Sequence, residues 1–379
     1  MKSILRATAV LGSSSIVTIL VGLVSAKAYA LLLGPAGTGY MGLLQSLLGI
    51  AGLIAGMGIG TGVVRLGAKA AKENDELRVT TLRRAAWLLV GVFGILLLLL
   101  MTVLRGSLSR LMLGETANSW DVVLMGVALL FSLAAGLQIK ILNTHHRVNT
   151  LAKWGILNSI FGTLASLLCI WFWGAPGIAA SVIAATIINW LISRYFVSRE
   201  VPVQNVQVSR PELFSAAKEL LRFGTPFTAS MLFGMGVQFI LPVLILNTLD
   251  QESVGFYRAA VAISVGYLGF LLTAMAQDYY PRISAITDKS KLKETVNQQH
   301  KLILLLGVPM IFGAFALSPY LVTLVYSPEF SPAVGVLEWQ LLGNLFQFSS
   351  WTMSFVILSH CKSRTYFFTE VAGGLSMLL

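Results

Sequence analysis

Four basic residues stand out because they lie inside, or at the rims of, long apolar runs. Lys27 falls within Ala7–Leu33, Arg65 follows Met41–Val64, Arg258 stands at the start of Tyr257–Met275, and Arg282 comes shortly after that run. A cation held among apolar side chains costs at least about 2.5–3.5 kcal/mol at mid-membrane, so it normally faces a cavity or a counter-charge. The chemistry open to such groups is capture of an anion. Lys27 is six residues from Leu33, about 9 Å at 1.5 Å per residue, so snorkelling to the membrane surface is the second reading, behind the cavity. Arg65 and Arg282 fit ordinary positive-inside anchors as well as a binding role.

Acids are scarcer. Asp278, Glu338 and Glu370 are the carboxylates nearest to or inside apolar runs, and they are the candidates for coupling to a proton or another ion. Gln45, Gln138, Asn158, Asn189, Gln238, Gln340, Asn344 and Gln347 place neutral hydrogen-bonding groups within such runs. Most read as ties between helices, and a few, with Gln238 foremost, as partners for sugar hydroxyls. Gly52, Gly56 and Gly60 recur every four residues. That spacing serves close helix packing or a pliable helix that bends as a cavity opens. Gly37–Gly42 matches G-x-G-x-x-G, but no strand precedes it, and it reads as a turn. His145 and His146 are adjacent and cannot share one helix face as metal ligands. Cys169 and Cys361 give no disulfide framework.

The elements that must position these residues follow from composition. Of 379 residues, 56% are apolar and 11% charged, against about 45–50% and about 25% in soluble domains. Mean hydropathy is +0.79. A cytosolic enzyme, a disordered chain and a nucleic-acid-binding domain are excluded, and a polytopic helical membrane protein is left. The spans are Ala7–Leu33, Met41–Val64, Ala85–Val103, Val122–Leu142, Trp154–Phe172, Ile178–Phe196, Phe223–Leu246, Tyr257–Met275, Leu302–Leu317 and Gly335–Leu358, with a short final run Tyr366–Leu379. The first is too long for a signal-peptide core, although Ala28-Tyr29-Ala30 has the look of a cleavage site. Of 27 Lys and Arg, 23 fall in the N-terminal tail and the alternate loops on its side; Arg105, Arg110 and Arg258 lie opposite. The N-terminus is therefore expected in the cytoplasm, and the net charge of +11 is topology rather than a polynucleotide site.

A shift of 216 residues superposes the spans: Arg6 falls on Arg222, and Gly39-Tyr40 on Gly255-Phe256. Two copies in one orientation form a parallel repeat. The expected fold is an all-α integral membrane protein of two six-helix bundles, residues 1–208 and 209–379. Of its twelve spans, the last one to two are missing or incomplete here. Between the halves, Leu213, Phe214, Ala217, Leu220 and Leu221 recur at helical spacing. They predict an amphipathic helix on the cytoplasmic face, acting as coupling element or plain linker. The longest loop on the other side, Leu104–Asp121, is too short for a catalytic domain.

Further motifs carry a resemblance. They are Gly34-Pro35-Ala36-Gly37-x-Gly39 after the first span, the glycine-rich second span, Tyr280-Pro281-Arg282-Ile283-Ser284 and Trp339-Gln340-Leu341-Leu342-Gly343, with Lys27 in Ser25-Ala26-Lys27. Across nearly the whole chain the sequence resembles polysaccharide flippases of the multidrug/oligosaccharidyl-lipid/polysaccharide exporter superfamily. Those that handle O-antigen units and the enterobacterial common antigen lipid are the most similar. Asn344 departs from the pattern, since the family often has an acid there. The resemblance implies a MATE-like fold and no enzymatic activity, cofactor or metal. It implies movement of an undecaprenyl-pyrophosphate-linked glycan across the bacterial inner membrane for lipopolysaccharide and related surface polysaccharides. A polysaccharide polymerase and a chain-length regulator are the expected protein partners, and no nucleic acid is expected. Lys27 and Arg258 would engage the pyrophosphate, with Arg65, Arg282 and Gln238 completing the substrate path. The alternatives are a multidrug cation antiporter of the same superfamily, which would want buried acids, a membrane glycosyltransferase, and a truncated, non-transporting remnant.

Overall fold

The computed structural model describes residues 2–360 except 115–116, 146, 202–206, 285 and 287. Glu370, His146, Cys361 and the run Tyr366–Leu379 lie outside the described residues, as does the Asp278 side chain. Among the described residues every regular element is helical. The helices are α1 (Lys2–Gly56), α2 (Ile59–Lys72), α3 (Glu76–Val103), α4 (Arg105–Met112), α5 (Ser119–Thr144), α6 (Val148–Trp173), α7 (Gly177–Glu200), α8 (Arg210–Thr248), α9 (Gln251–Ser284), α10 (Lys289–Ala316), α11 (Ser318–Val325) and α12 (Ala333–His360). A 3₁₀ turn spans Pro328–Phe330.

Six helices among the described residues are long and apolar enough to cross a membrane: Ser14–Gly56, α3, α5, α6, α7 and Ser290–Ala316. The twelve-span expectation is met in part. The apolar side chains point outward, as a lipid solvent requires: Leu96 and Leu99 on α3 and Leu164 on α6 are each more than half exposed. Trp171, Phe172 and Trp173 end α6 as an exposed aromatic cluster, the residue types that settle at a membrane–water interface.

Local chemistry sets the breaks. The first two expected spans form one continuous element interrupted at Gly34, whose φ of 64° suits glycine. Pro35 then restarts the helix at the one position where its missing N–H costs nothing. The turn expected at Gly37–Gly42 is instead helical, because the Gly34-Pro35 step has already redirected the chain. A second break falls at Met57 (φ 43°) and Gly58 (φ 62°), separating α2 from α1. Asp75, Asn118 and Asp288 cap α3, α5 and α10.

Packing divides the chain into two units. The first comprises Met1–Leu33 and Tyr40–Asp250, the second Gly34–Gly39 and Gln251–Leu379. In the first, the start of α8 is not a separate surface helix. Ser209 and Glu212 form a capping box, and α8 continues unbroken to Thr248. Ala216, Ala217 and Leu220 are buried with Ile59, Leu82 and Ala86 of α2 and α3. The apolar stripe is therefore satisfied by protein rather than by lipid, although Phe214 remains exposed.

The repeat is visible in the order and length of the helices. α3 and α10 both have 28 residues, α4 and α11 both have 8, and α5 and α12 have 26 and 28. In the second unit, Gly39 and its repeat-equivalent Gly255 lie backbone to backbone: a methyl group on Gly39 would come within 2.9 Å of the Gly255 nitrogen. The copies are not identical. α9 runs unbroken through the positions equivalent to Met57–Gly58.

Candidate functional site

The first unit holds two adjoining cavities. One, of about 500 Å³, is lined by Gly49, Gly52, Gly56 and Gly60, together with Gln45, Ser132, Gly136, Lys140 and Phe239. The four-residue spacing of the glycines therefore faces a cavity. The nearest atoms that a methyl group would meet at Gly52 and Gly56 are Leu129 Cδ1 and Leu133 Cδ2, each at 3.9 Å, which is ordinary contact rather than interlocked packing. Gly49 and Gly60 lie closer to their neighbours, with Phe239 Cε1 at 2.5 Å and Lys140 Cγ at 3.0 Å from the same hypothetical carbon. The Met57–Gly58 break lies at the end of this glycine row.

Lys140 is the cation of this cavity. By sequence it counts as a loop residue just before the apolar run's end at Leu142, yet α5 continues to Thr144 and turns Lys140 onto the face of Ser132 and Gly136. Ser132, Gly136 and Lys140 follow at four-residue steps, the signal by which a helical reading would have placed them on one face. Lys140 is about 6 Å, four residues, from the end of α5, so its ammonium sits toward one mouth of the unit.

The second cavity, of about 350 Å³, is lined by Tyr29, Gln45, Asn158, Thr163, Thr186 and Asn189 among others. Among the described residues, no ionisable acid or base other than the Tyr29 phenol lines it. Gln45 and Leu48 line both cavities, so the second half of α1 is their common wall. Asn189 also accepts a hydrogen bond from Trp154 Nε1 at 3.1 Å, which fixes α7 against α6. Gln138, in contrast, is a tie: it accepts from Ser193 Oγ at 2.5 Å, with both residues buried.

The remaining sequence candidates are dispersed. Lys27 is half-buried on α1, and neither cavity is lined by it, nor by Arg65 or Gln238. Arg65, exposed on α2, has its guanidinium carbon 4.9 Å from the centre of the Phe223 ring. Gln238 is exposed on α8. In the second unit Arg258 is half-buried on α9, near an aromatic cluster in which Phe330 packs against Tyr326 and Phe256 at 4.9 and 6.1 Å. Burial pushes the Tyr326 phenol up to about 12, with the Arg258 charge acting the other way. Arg282 donates to Gln299 at 2.8 Å. Glu338 accepts from the buried Ser318 at 2.9 Å, and Asn344 donates to Ser264 at 2.7 Å, so both of these polar groups on α12 tie it to a neighbouring helix. Two acids escaped notice in the sequence. Asp121 accepts from Tyr40 at 2.5 Å, and Glu219 pairs with Arg78. Among the described residues no group of three His, Cys, Asp or Glu converges as a metal site.

With this geometry in hand, a family model for polysaccharide biosynthesis proteins matches residues 4–287. The chain belongs to that family. It is similar to the lipid III flippase of Escherichia coli (strain K12), with 21% identity over 372 residues, covering 98% of this chain and 88% of the relative. Its fold is similar to that of the lipid II flippase MurJ in an inward closed conformation. The TM-score is 0.76 at 13% identity, with 97% of this chain and 79% of that one covered. It is also similar to an inward-facing multidrug resistance MATE family transporter of the MOP superfamily, with a TM-score of 0.73 at 16% identity and 95% and 85% coverage. At these identities the solved structures establish the fold alone. This family member is an all-α, multi-pass membrane protein with a MATE-like and MurJ-like fold.

Proposed function

We propose that this protein is a flippase for a lipid-linked glycan, a transporter and not an enzyme. Its substrate is an undecaprenyl-pyrophosphate-linked oligosaccharide, an O-antigen or related repeat unit. It moves that lipid from the cytoplasmic to the periplasmic leaflet of the bacterial inner membrane, and its own N-terminus is cytoplasmic. Membership of the polysaccharide biosynthesis family and the likeness to a lipid III flippase support the substrate class.

The observation that carries the reading is the glycine-rich cavity with Lys140 at its rim. A lipid pyrophosphate needs a cation, room for a bulky headgroup and a wall able to change shape. Lys140 supplies the first, and four glycines facing one cavity serve the other two. Among the described residues no carboxylate lines either cavity, which weighs against a multidrug cation antiporter.

In this reading Lys27 and Arg258 engage the pyrophosphate at other stages of the path, with Arg65, Arg282 and Gln238 along it. Asp278, Glu338 and Glu370 are the groups through which an ion gradient acts. The halves that rock in alternating access are the repeat units 1–208 and 209–379. A polysaccharide polymerase and a chain-length regulator act on the delivered product. The test is restoration of surface glycan, at limiting expression, in cells lacking their own flippase. K27A, K140A and R258A are expected to fail while present at wild-type levels. Full restoration by all three would overturn the cationic path.

A further inference from the structure

We propose that the uncharged cavity of the first unit is a sugar subsite, binding about one or two pyranose rings of the substrate's glycan within the membrane. The inference rests on the flippase reading and adds to it where the glycan goes.

Depth is the first argument. Asn158 and Thr163 each lie ten residues from the nearer end of α6, Val148 and Trp173 respectively, so about 15 Å of helix separates each from that end and about 22 Å from the other. This places them near the middle of a hydrocarbon core of about 30 Å. A space lined by amides and hydroxyls at that depth is costly unless a polar occupant meets those groups.

Chemistry is the second. Tyr29, Gln45, Asn158, Thr163, Thr186 and Asn189 offer both donors and acceptors and no formal charge. An anion would lack a cation here, and a cation would lack a carboxylate. A neutral polyhydroxylated ring matches the mixture, since each of its hydroxyls both donates and accepts. Asn158 Oδ1 is buried and has no hydrogen-bond partner in the protein, so an acceptor is available for a ligand hydroxyl.

Size and position are the third. About 350 Å³ falls at the small end of the range for small-molecule sites, about 300–1,000 Å³. Gln45 and Leu48 border this cavity and the Lys140 cavity alike. A phosphate near Lys140 and a sugar beside Asn158 would thus occupy adjoining chambers of one unit.

The test uses the full chain in lipid nanodiscs. Its probes are a polyprenyl-pyrophosphate-linked disaccharide of neutral sugars and the same polyprenyl pyrophosphate without sugar. Thr163→Val and Asn158→Leu keep side-chain volume nearly constant while removing hydrogen-bonding groups. Each is expected to weaken the glycan-bearing lipid about tenfold and leave the sugar-free lipid unchanged. Equal weakening of both lipids, or of neither, overturns the sugar subsite while leaving the flippase reading in place. Failure of the wild-type chain to bind either lipid overturns the flippase reading and the subsite with it. Should Asn158→Leu lose its fold, Thr163→Val, a hydroxyl-for-methyl exchange, decides alone. Binding of sodium ions abolished by these variants, with glycan binding intact, would make the cavity a cation site and overturn the proposal.

Discussion

Two glycines six residues apart should respond to the same substitution in opposite ways. Gly58 has φ 62°, and a methyl group there would come within 2.7 Å of Gly224 Cα and 2.8 Å of its carbonyl carbon. The left-handed conformation costs an alanine about 1–2 kcal/mol, and forcing a methyl into packed backbone costs about 1–3 kcal/mol more. Both contacts are to backbone, so no rotamer change relieves them, and Gly58→Ala should cost about 2–5 kcal/mol. Gly52 is helical and faces the cavity, with its nearest neighbour at 3.9 Å. Gly52→Ala should gain up to about 1 kcal/mol of helix propensity at no steric cost. The assay is the thermal midpoint of the purified protein in one detergent. At about 2–4 °C per kcal/mol for a unit of this size, Gly58→Ala should fall by roughly 4–20 °C, and Gly52→Ala should hold level or rise by up to about 4 °C. A fall for Gly52→Ala as large as for Gly58→Ala would show that the glycine row is interlocked packing, and would refute the cavity-wall argument.

Other consequences can be checked separately. Lys140→Gln should weaken binding of a polyprenyl pyrophosphate in nanodiscs by about ten- to a hundredfold and flatten its salt dependence, with Lys140→Arg retaining most affinity; a titration at two ionic strengths reads both. Ser193→Ala leaves the buried Gln138 Oε1 without its partner, and should lower stability by about 0.6–1.7 kcal/mol, the range for interhelical bonds in membranes, measured by denaturation in mixed micelles. Glu212 receives hydrogen bonds from the Ser209 backbone and hydroxyl, which hold its carboxyl below the ordinary carboxylate value. A depressed folded-state value means the cap is fully effective above the unfolded value, about 4.3, and is lost as pH falls through the folded one. Protection of the first-turn amides of α8, measured relative to the intrinsic exchange rate at each pH, should therefore fall on acidification below that point, and Glu212→Gln should flatten that fall.

The helical membrane class was legible in composition, and the repeat in the spacing of the spans, because both depend on long-range averages rather than on single residues. An interruption between the first two spans was legible as well, but the turn was expected at Gly37–Gly42, whereas the break falls at Gly34-Pro35. The break at Met57–Gly58 was not. Six glycines lie between Gly49 and Gly62, and nothing local marks one of them as the kink, least of all the positive φ on Met57. Lys140 was hidden by its charge: it lies inside the apolar run Val122–Leu142, yet it counted with the basic residues of the following loop, whereas α5 carries it as a helical residue. The neutral polar residues could be named from sequence but not sorted. Whether Gln138 ties two helices while Asn158 faces a cavity depends on which side chains meet across helices, and this is set by tertiary packing. The start of α8 read as surface-seeking because an apolar stripe looks the same whether lipid or α2 and α3 cover it.

Reconstitution tests the function most directly. The purified chain is placed in sealed vesicles with a fluorescent polyprenyl-pyrophosphate-linked disaccharide in the outer leaflet, and loss of that lipid from outer-leaflet accessibility is followed over time. Protein-dependent loss, abolished in K140Q and retained in K140R, is the expected result. Loss no faster than in empty vesicles, from protein that is monodisperse and still binds the lipid, would contradict the assignment as a flippase.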